Sequence, residues 1–330
     1  MTVDTAAAPR NVGRAGRTPA ALCWLAVLPA ALWAVVRVFG VDHGPLVQLL
    51  AFTPYVAAWA LVPAVLAVAL RQWRPAAVAV LAAVALIGCV APRAVGGPEA
   101  PAGGPPLRVL TANLLVGGAD AAALVTLVRE HRVDLLAVQE FTAAAGTALQ
   151  SAGLTGLLPH RQLNPEDGTT GSGLYSRLPL RDGGVRRNGG GFTQAYATVE
   201  VPGGPAVLVE SVHPLAPYAV SVLDDWRADL DAQPRATAGG PVRLLLGDFN
   251  ATLDHAPLRR LIASGYVDAA DTVGAGLTGT WGPYDGDLIP PVTIDHVLVD
   301  RRVTVQQVRV FPLAGSDHRP VLAALTLPAG

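Results

Sequence analysis

Apolar residues are distributed along the chain in two regimes. Between about residues 20 and 92 they run almost without charge. From Leu107 onward they come in short bursts that end in polar residues. The first regime divides into stretches at about 20–40, 46–70 and 75–92. A helix needs roughly 20 mostly apolar residues to cross a bilayer, so the pattern predicts three transmembrane helices. A cleaved signal peptide explains the first stretch alone, because two more follow it. Buried helices of a soluble protein are the competing reading. Pro29, Pro54 and Pro63 are compatible with membrane helices, and Arg37 lies near enough to a helix end to snorkel.

The second regime predicts an α/β domain. Leu107–Leu114 reads as a strand delivering Asn113. A helical spacing follows Asp120, with Leu124, Leu127, Val128 and His131 on one face. Val133–Val138 is a second strand, running into Gln139 and Glu140. Strand, helix and strand form a βαβ unit with parallel strands. Asn113 and Glu140 then lie at neighbouring carboxyl ends, where open α/β sheets carry their sites. Further strands are expected at Gly173–Ser176, Phe192–Val201, Ala206–Val212, the leucine run before Asp248, Thr293–Val299, Val303–Phe311 and Val321–Leu327. Helices are expected at Val220–Leu230 and Pro257–Ser264. The Gly-rich stretch before Phe192 reads as a loop carrying Arg186 and Arg187. Many strands and few helices imply two packed sheets with helices outside.

Charge sharpens the division. Before Leu107 there are seven arginines against three acids, a net of +4; after it, seventeen against twenty-two, a net of −5. Lysine is absent. An acidic domain without clustered basic and aromatic residues argues against a general nucleic-acid binder, so no stable nucleic-acid partner is expected. Cys23 and Cys89 both lie in the apolar region, which excludes disulfides and cysteine metal sites from the rest. Residues 1–19, with Arg10, Arg14 and Arg17, read as a disordered cytoplasmic tail. Arg71 and Arg74 mark the turn at 71–74, whereas 41–45 has no arginine. Basic residues stay in the cytoplasm. The expected topology is therefore multi-pass in the cell membrane, with the N-terminus inside and residues from Arg93 outside. Residues 93–106, rich in Gly and Pro, form a linker, and 107–330 form the extracytoplasmic domain.

The chemistry concentrates at strand ends. In Leu244-Leu-Leu-Gly-Asp248-Phe-Asn250 a buried strand runs into Gly247, read as a turn former. Asp248 and Asn250, two apart, face one side and suit a water, a phosphate oxygen or a hard cation. An Asx-turn closing a hairpin explains the pair equally well. Glu140 alone suits a solvated rim, and His213 before Pro214 suits a loop. Asp295-His296 lies within an apolar strand, so one of the two faces inward, and a buried carboxylate must be paired. The basic pair Arg186-Arg187 reads as a solvated turn or a weak phosphate contact.

Taken in order, Thr-Ala-Asn113, Gln-Glu140, Ser-Gly-Leu-Tyr-Ser-Arg177, His213-Pro, Gly-Asp248-Phe-Asn250, Thr280-Trp281, Ile-Asp295-His296 and Ser-Asp317-His318-Arg-Pro resemble the endonuclease/exonuclease/phosphatase superfamily. The likeness spans about residues 107–327. It implies a four-layer α/β/β/α sandwich of the DNase I-like kind, here preceded by the three transmembrane helices. The three-span, outward-facing layout also resembles membrane-anchored actinobacterial members associated with glycopeptide (teicoplanin) resistance.

Carried over by position, the resemblance implies a metal-dependent phosphoesterase. Glu140 would be the principal Mg²⁺ ligand, with Mn²⁺ as an alternative, and Asn113 and Asp317 would sit beside the metal. His318 would act as general base or polarise the phosphate, held by Asp295. Asp248 and Asn250 would position the attacking water, and His213 would contact phosphate or protonate the leaving oxygen. After Asn113 the sequence is Leu-Leu-Val-Gly-Gly, with no acid before Asp120, so one metal is expected. The expected partners are the lipid bilayer and a lipid-linked phosphate, best a polyprenyl pyrophosphate or a cell-wall lipid intermediate. A surface nuclease and a catalytically inactive binding module are the alternatives.

Overall fold

The computed structural model describes residues 17–96, 103–282 and 288–329. Most of the tail and the centre of the expected linker therefore lie outside the described residues. The chain divides into two compact units, one of Met1–Phe39 and Thr53–Val90, the other of Gly40–Phe52 and Ala91–Gly330. The helices of the apolar regime are α1 (Arg17–Phe39), α2 (Leu46–Leu50), α3 (Thr53–Trp59), α4 (Leu61–Ala69) and α5 (Trp73–Val90).

Within the first unit, small residues face inward. Ala30, Ala34, Ala57, Ala60, Ala82 and Ala83 form a buried cluster with Leu86 and Val90. Large apolar side chains face out, among them Leu25, Leu32, Val65 and Leu81, each more than 60% exposed. Two described helices are long and apolar enough to cross a membrane, Ala20–Phe39 and Trp73–Ala94, with mean hydropathy 2.0 and 2.2. Thr53–Ala69 is shorter, about 25 Å at 1.5 Å per residue.

The expected single span at 46–70 is therefore corrected. Residues 46–50 are a separate short helix belonging to the second unit. Pro54 disfavours helical backbone at the residue before it, and the chain turns at Ala51 and Phe52. The α3–α4 break precedes Pro63, which lacks the N–H that a continuous helix needs. Conversely, 75–92, the shortest stretch in sequence, falls within one of the two long helices.

Among the described residues, the second unit holds twelve strands in two six-stranded sheets. They are β1 (Pro106–Asn113), β2 (Leu135–Gln139), β3 (His160–Asn164), β4 (Ser172–Ser176), β5 (Leu180–Arg187), β6 (Thr193–Glu200), β7 (Ala206–Val212), β8 (Val242–Asp248), β9 (Tyr266–Asp268), β10 (Asp295–Asp300), β11 (Thr304–Val310) and β12 (Val321–Thr326). The first sheet runs β11-β12-β1-β2-β4-β3 and the second β5-β6-β7-β8-β10-β9. β1 and β2 are parallel, as the βαβ reading requires. Alternate strand residues interleave between the sheets: Val109, Leu135 and Ala137 from one, Val209, Leu244 and Val297 from the other. The opposite faces are covered by helices. Leu110, Leu136 and Val138 pack under α6 (Ala121–Glu130) and α7 (Ala143–Ser151). Leu245 and Leu298 pack with Trp226 of α9 (Leu223–Asp231) and Leu258 of α10 (Ala256–Ala263). Helix, sheet, sheet, helix is the expected layering.

The turn at 41–45 with the start of the expected 46–70 span, and the start of the expected linker, are docked parts of this unit. In Gly40–Phe52, Val47 is fully buried and joins the cluster of Trp226, Phe249 and Leu258. After α5, Arg93 meets Asp254 through two parallel bonds of 2.7 and 2.6 Å, both side chains buried. The linker expected at 93–106 thus begins with an anchored turn. The expected Gly-rich loop before Phe192 is also corrected: Arg186 and Arg187 lie on β5, paired antiparallel to β6. Gly183 and Gly184 sit at the bulge where that register shifts, so they bend a strand rather than open a loop.

Candidate active site

The strand ends β1, β2, β7, β8 and β10 and the turn before β12 meet at one cavity of about 560 Å³. It is lined by Glu140, His213, Asp248, Asn250, Asp317 and His318. Asn113 lies just behind, its amide donating to Glu140 Oε1 (3.2 Å) and Asp248 Oδ2 (3.1 Å). Asp295 stands behind His318, both carboxylate oxygens near the imidazole Nδ1 (2.9 and 3.1 Å). Eight of the residues singled out from sequence therefore converge. Arg186 and Arg187 do not line the cavity: Arg186 is bound to Glu210 and Gln233, and Arg187 to Glu166 and the Gly191 carbonyl.

Local chemistry explains the convergence. Gly247 is a strand residue of β8, not a turn former. A Cβ there would collide with the Val212 carbonyl, so glycine lets β7 and β8 close on each other. That approach brings His213 Nε2 within 3.6 Å of Asp248 Oδ2. Asn250 N donates to Asp248 Oδ1 at 2.8 Å, so the Asx-turn is real. It coexists with the site reading, since both side chains line the cavity. Glu140 follows β2 at φ +53°, a left-handed conformation that non-glycine residues rarely hold. It is fixed there by Val116 N, which donates to Oε2 at 2.7 Å. Leu115, Val116 and Gly117 are themselves left-handed. Strain of this kind collects where a site over-determines its backbone. Beneath the cavity, Thr111, Gln139 and Ser211 form a buried chain of hydrogen bonds that locks the two sheets in register.

The electrostatics are those of a site short of positive charge. Burial pushes the Glu140 carboxyl above its ordinary range, although bonds from Val116 and Asn113 pull the other way. Burial raises Asp248 too, with the Asp295 charge adding to it. Burial alone would lower His318, but the carboxylates of Asp295, Asp248 and Asp317 outweigh it and carry the imidazole up to about 10. His213 lacks that surplus, and burial takes it down to about 4. Of the side chains that line the cavity, His213 Nδ1 and Asp317 Oδ1 are buried with no hydrogen-bond partner among the described residues. Four carboxylates around one cavity with an unpartnered oxygen fit a hard divalent cation. Asp248, Asp295 and His318 offer atoms within 4.8 Å of one another. Asp295 is committed to His318, however, so these three are better read as an Asp295–His318 dyad with Asp248 Oδ2 3.6 Å from the other imidazole nitrogen. The oxygens left for a cation then lie toward Glu140, Asn113 and Asp317.

Several contributors were not singled out from sequence. Trp281 Nε1 donates to Asp317 Oδ2 at 2.9 Å and fixes that carboxylate. Thr280 Oγ1 accepts from the Ile294 and Asp295 amides, seating the start of β10. Both belong to the quoted Thr280-Trp281 pair, so the signal was present without a role. His296 makes a second buried dyad with Asp268 (2.7 Å), pointing away from the first. Asp295 and His296 are thus both inward and both paired.

A two-sheet α/β sandwich with an acidic site at its strand ends defines a class of metal-assisted hydrolases. The model of the endonuclease/exonuclease/phosphatase family matches residues 110–318, more than half of the chain, and the protein belongs to that family. It is accordingly a metal-dependent phosphoric ester hydrolase. Solved structures share the fold. An endonuclease/exonuclease/phosphatase from Beutenbergia cavernae is 20% identical over 68% of this chain and 72% of its own, with TM-score 0.53. The 3′ phosphatase NExo from Neisseria, bound to a product DNA hairpin, is 22% identical over 66% of this chain and 98% of its own, with TM-score 0.52. A family protein from Bacteroides thetaiotaomicron is 15% identical over 69% and 97%, with TM-score 0.52. No curated protein matches the sequence.

Proposed function

We propose that the protein is a membrane-anchored, Mg²⁺-dependent phosphoesterase that faces away from the cytoplasm and cleaves a phosphate ester or anhydride carried by a lipid. The observation that carries this reading is the character of the cavity. Its catalytic groups share one space with Leu115, Phe192, Leu215, Tyr218, Trp281 and Val292. Such a space suits a phosphate joined to hydrocarbon better than one strand of a polyanion, which needs a basic track.

Membrane anchoring is supported by the first unit's inverted pattern, small residues inside and leucine outside, which is how helices pack in lipid. Water-soluble proteins rarely expose apolar area on that scale. The topology is supported by the chain's path. Gly40–Phe52 and the residues after Val90 both belong to the catalytic unit, so they share one side of the membrane, as three crossings require. α3 and α4 would make the short return crossing. Arg71 and Arg74 then fall on the opposite, cytoplasmic side.

In this reading Glu140, Asn113 and Asp317 hold the cation. When bound, it neutralises charge on the phosphate oxygens. His318, tied at Nδ1 to Asp295, presents Nε2 to a phosphate oxygen and polarises it. Asp248 and Asn250 orient the attacking water. His213, with Nδ1 unpartnered and Nε2 beside Asp248, contacts the phosphate or the leaving oxygen. Polyprenyl pyrophosphate or a cell-wall lipid intermediate is the first candidate, since such phosphates lie at the outer face of a bacterial membrane. The likeness to resistance-associated members favours the same choice by analogy only. The test offers the full-length protein in liposomes polyprenyl pyrophosphate or DNA, with Mg²⁺. Phosphate release from the lipid supports the reading. Faster cleavage of DNA, or no release from any lipid phosphate, overturns it.

A further inference from the structure

Resting on the lipid-phosphate reading above, we propose that Gly40–Phe52, between α1 and α3, is a working wall of the active site. It receives the hydrocarbon chain attached to the phosphate and so sets which esters are accepted. Val47, Gln48, Ala51 and Phe52 bound the same cavity as Glu140, Asp248 and His318.

A mere connection would not be held as this segment is. Asp42 Oδ2 accepts from Ala256 N at 2.5 Å, satisfying one of the free amides at the start of α10. The Asp42 carbonyl accepts from Arg227 at 2.6 Å. His255 Nδ1 accepts from Thr252 N at 2.9 Å, so Nε2 carries the proton and donates to the Val47 carbonyl at 2.8 Å. Gln48 Nε2 donates to the Pro217 carbonyl at 2.7 Å. Pro217 lies in the loop after His213, and that loop is held in turn by Asn250, which donates to the Pro214 carbonyl. Trp226 packs edge-on to His255 and donates to the Asn250 carbonyl. The wall is therefore bolted to the elements that carry His213 and Asn250.

Its chemistry identifies the occupant. The wall offers aliphatic groups, a phenyl ring and one amide whose nitrogen is already engaged by Pro217; it offers no charge. That surface suits hydrocarbon, not a nucleotide base or a sugar. About 560 Å³ is ordinary for a small-molecule pocket, enough for a phosphate and the first part of a chain. Phe52 is followed directly by Thr53, where the next apolar helix begins.

The test uses full-length protein in nanodiscs with Mg²⁺. Thermal stabilisation is compared for methyl phosphate and for alkyl phosphates up to dodecyl, and hydrolysis is followed on polyprenyl pyrophosphate and on bis(p-nitrophenyl) phosphate. Each buried methylene multiplies affinity by about four, so potency should climb steeply with chain length and then level off. Ala51→Trp, which fills the cavity, should abolish that climb. It should lower kcat/KM on the prenyl substrate at least ~10-fold more than on the chain-free ester. Gln48→Ala, which releases the wall from Pro217, should weaken the climb. Leu49→Trp, on the same helix but exposed and outside the cavity, should change neither. No chain-length dependence in the wild type, or equal losses on both esters in Ala51→Trp, overturns the wall. Chain-length dependence without prenyl hydrolysis keeps the wall and refutes the substrate instead.

Discussion

Replacing Asp254 by alanine should destabilise the catalytic unit more than any exposed ion-pair change. The Arg93 guanidinium is 6% exposed and the Asp254 carboxylate fully buried, with two short parallel bonds between them. Removing one member of such a pair leaves a buried charge uncompensated, which costs about 3–5 kcal/mol. A domain of this size loses roughly 2–4 °C per kcal/mol, so the midpoint should fall by about 6–20 °C. Arg260→Ala provides the comparison, because its partner Asp231 and Arg260 itself are about half exposed; such pairs contribute about 0–1 kcal/mol. Pairing Asp254→Leu with Arg93→Met should recover most of the loss, since apolar residues often replace a buried pair without penalty. Unfolding of full-length protein in detergent, followed by tryptophan fluorescence, measures Asp254→Ala, Arg260→Ala, the Asp254→Leu and Arg93→Met single variants and their double variant. If Asp254→Ala moves the midpoint no more than Arg260→Ala, or if the single losses simply add in the double variant, the segment after α5 is not anchored as described.

Other outcomes follow from the same geometry. Glu140→Gln keeps the shape but removes charge, and should lower Mg²⁺-dependent turnover by orders of magnitude with little change in unfolding midpoint; near-normal phosphate release would remove Glu140 from the site. His318→Ala and Asp295→Asn act through one dyad, so their kcat losses should fall far short of additive in the double variant. Burial lowers the His255 pKa, so the unfolded chain takes up the proton first. Its stabilisation is full above about pH 6.5 and declines as pH falls below that; the difference in midpoint between wild type and His255→Gln should shrink on acidification, and a pH-independent difference contradicts the assignment. A reporter active only outside the cytoplasm should work when fused after Leu327 and fail when placed at 71–74, the opposite result reversing the topology.

The strand ends were legible because each pairs an apolar run with a polar residue of definite chemistry, as at Asn113, Glu140 and Asp248. The four layers followed from the same runs. What sequence could not separate was hydrocarbon facing lipid from hydrocarbon facing protein. Val47 and Leu50 look like the start of a membrane span, yet they are buried in the second unit. Polar alternation with two glycines hid β5, whose residues are mostly exposed and pack no core of their own. Arg93 looked like the first residue of a linker because its partner, Asp254, is 161 residues away. Gly247 was assigned a turn because nothing local signals that a neighbouring strand's carbonyl needs its space.

The long reach of the wall's anchors orders events during synthesis. Val47 waits for His255, 208 residues later, and Asp42 waits for Ala256, 214 residues later. At about 5–20 residues per second, that interval is roughly 10–40 s. Throughout it, the His255 and Ala256 anchors of Val47 and Asp42 do not yet exist. By the time Asp248 leaves the ribosome, Asn113, Glu140 and His213 have already been made, but Trp281, Asp317 and His318, which complete the pocket, have not. The early segment meets Pro217 and Arg227 first, and the start of α10 adds its last two anchors. A nascent chain is therefore without a complete pocket until Asp317 and His318 have been made.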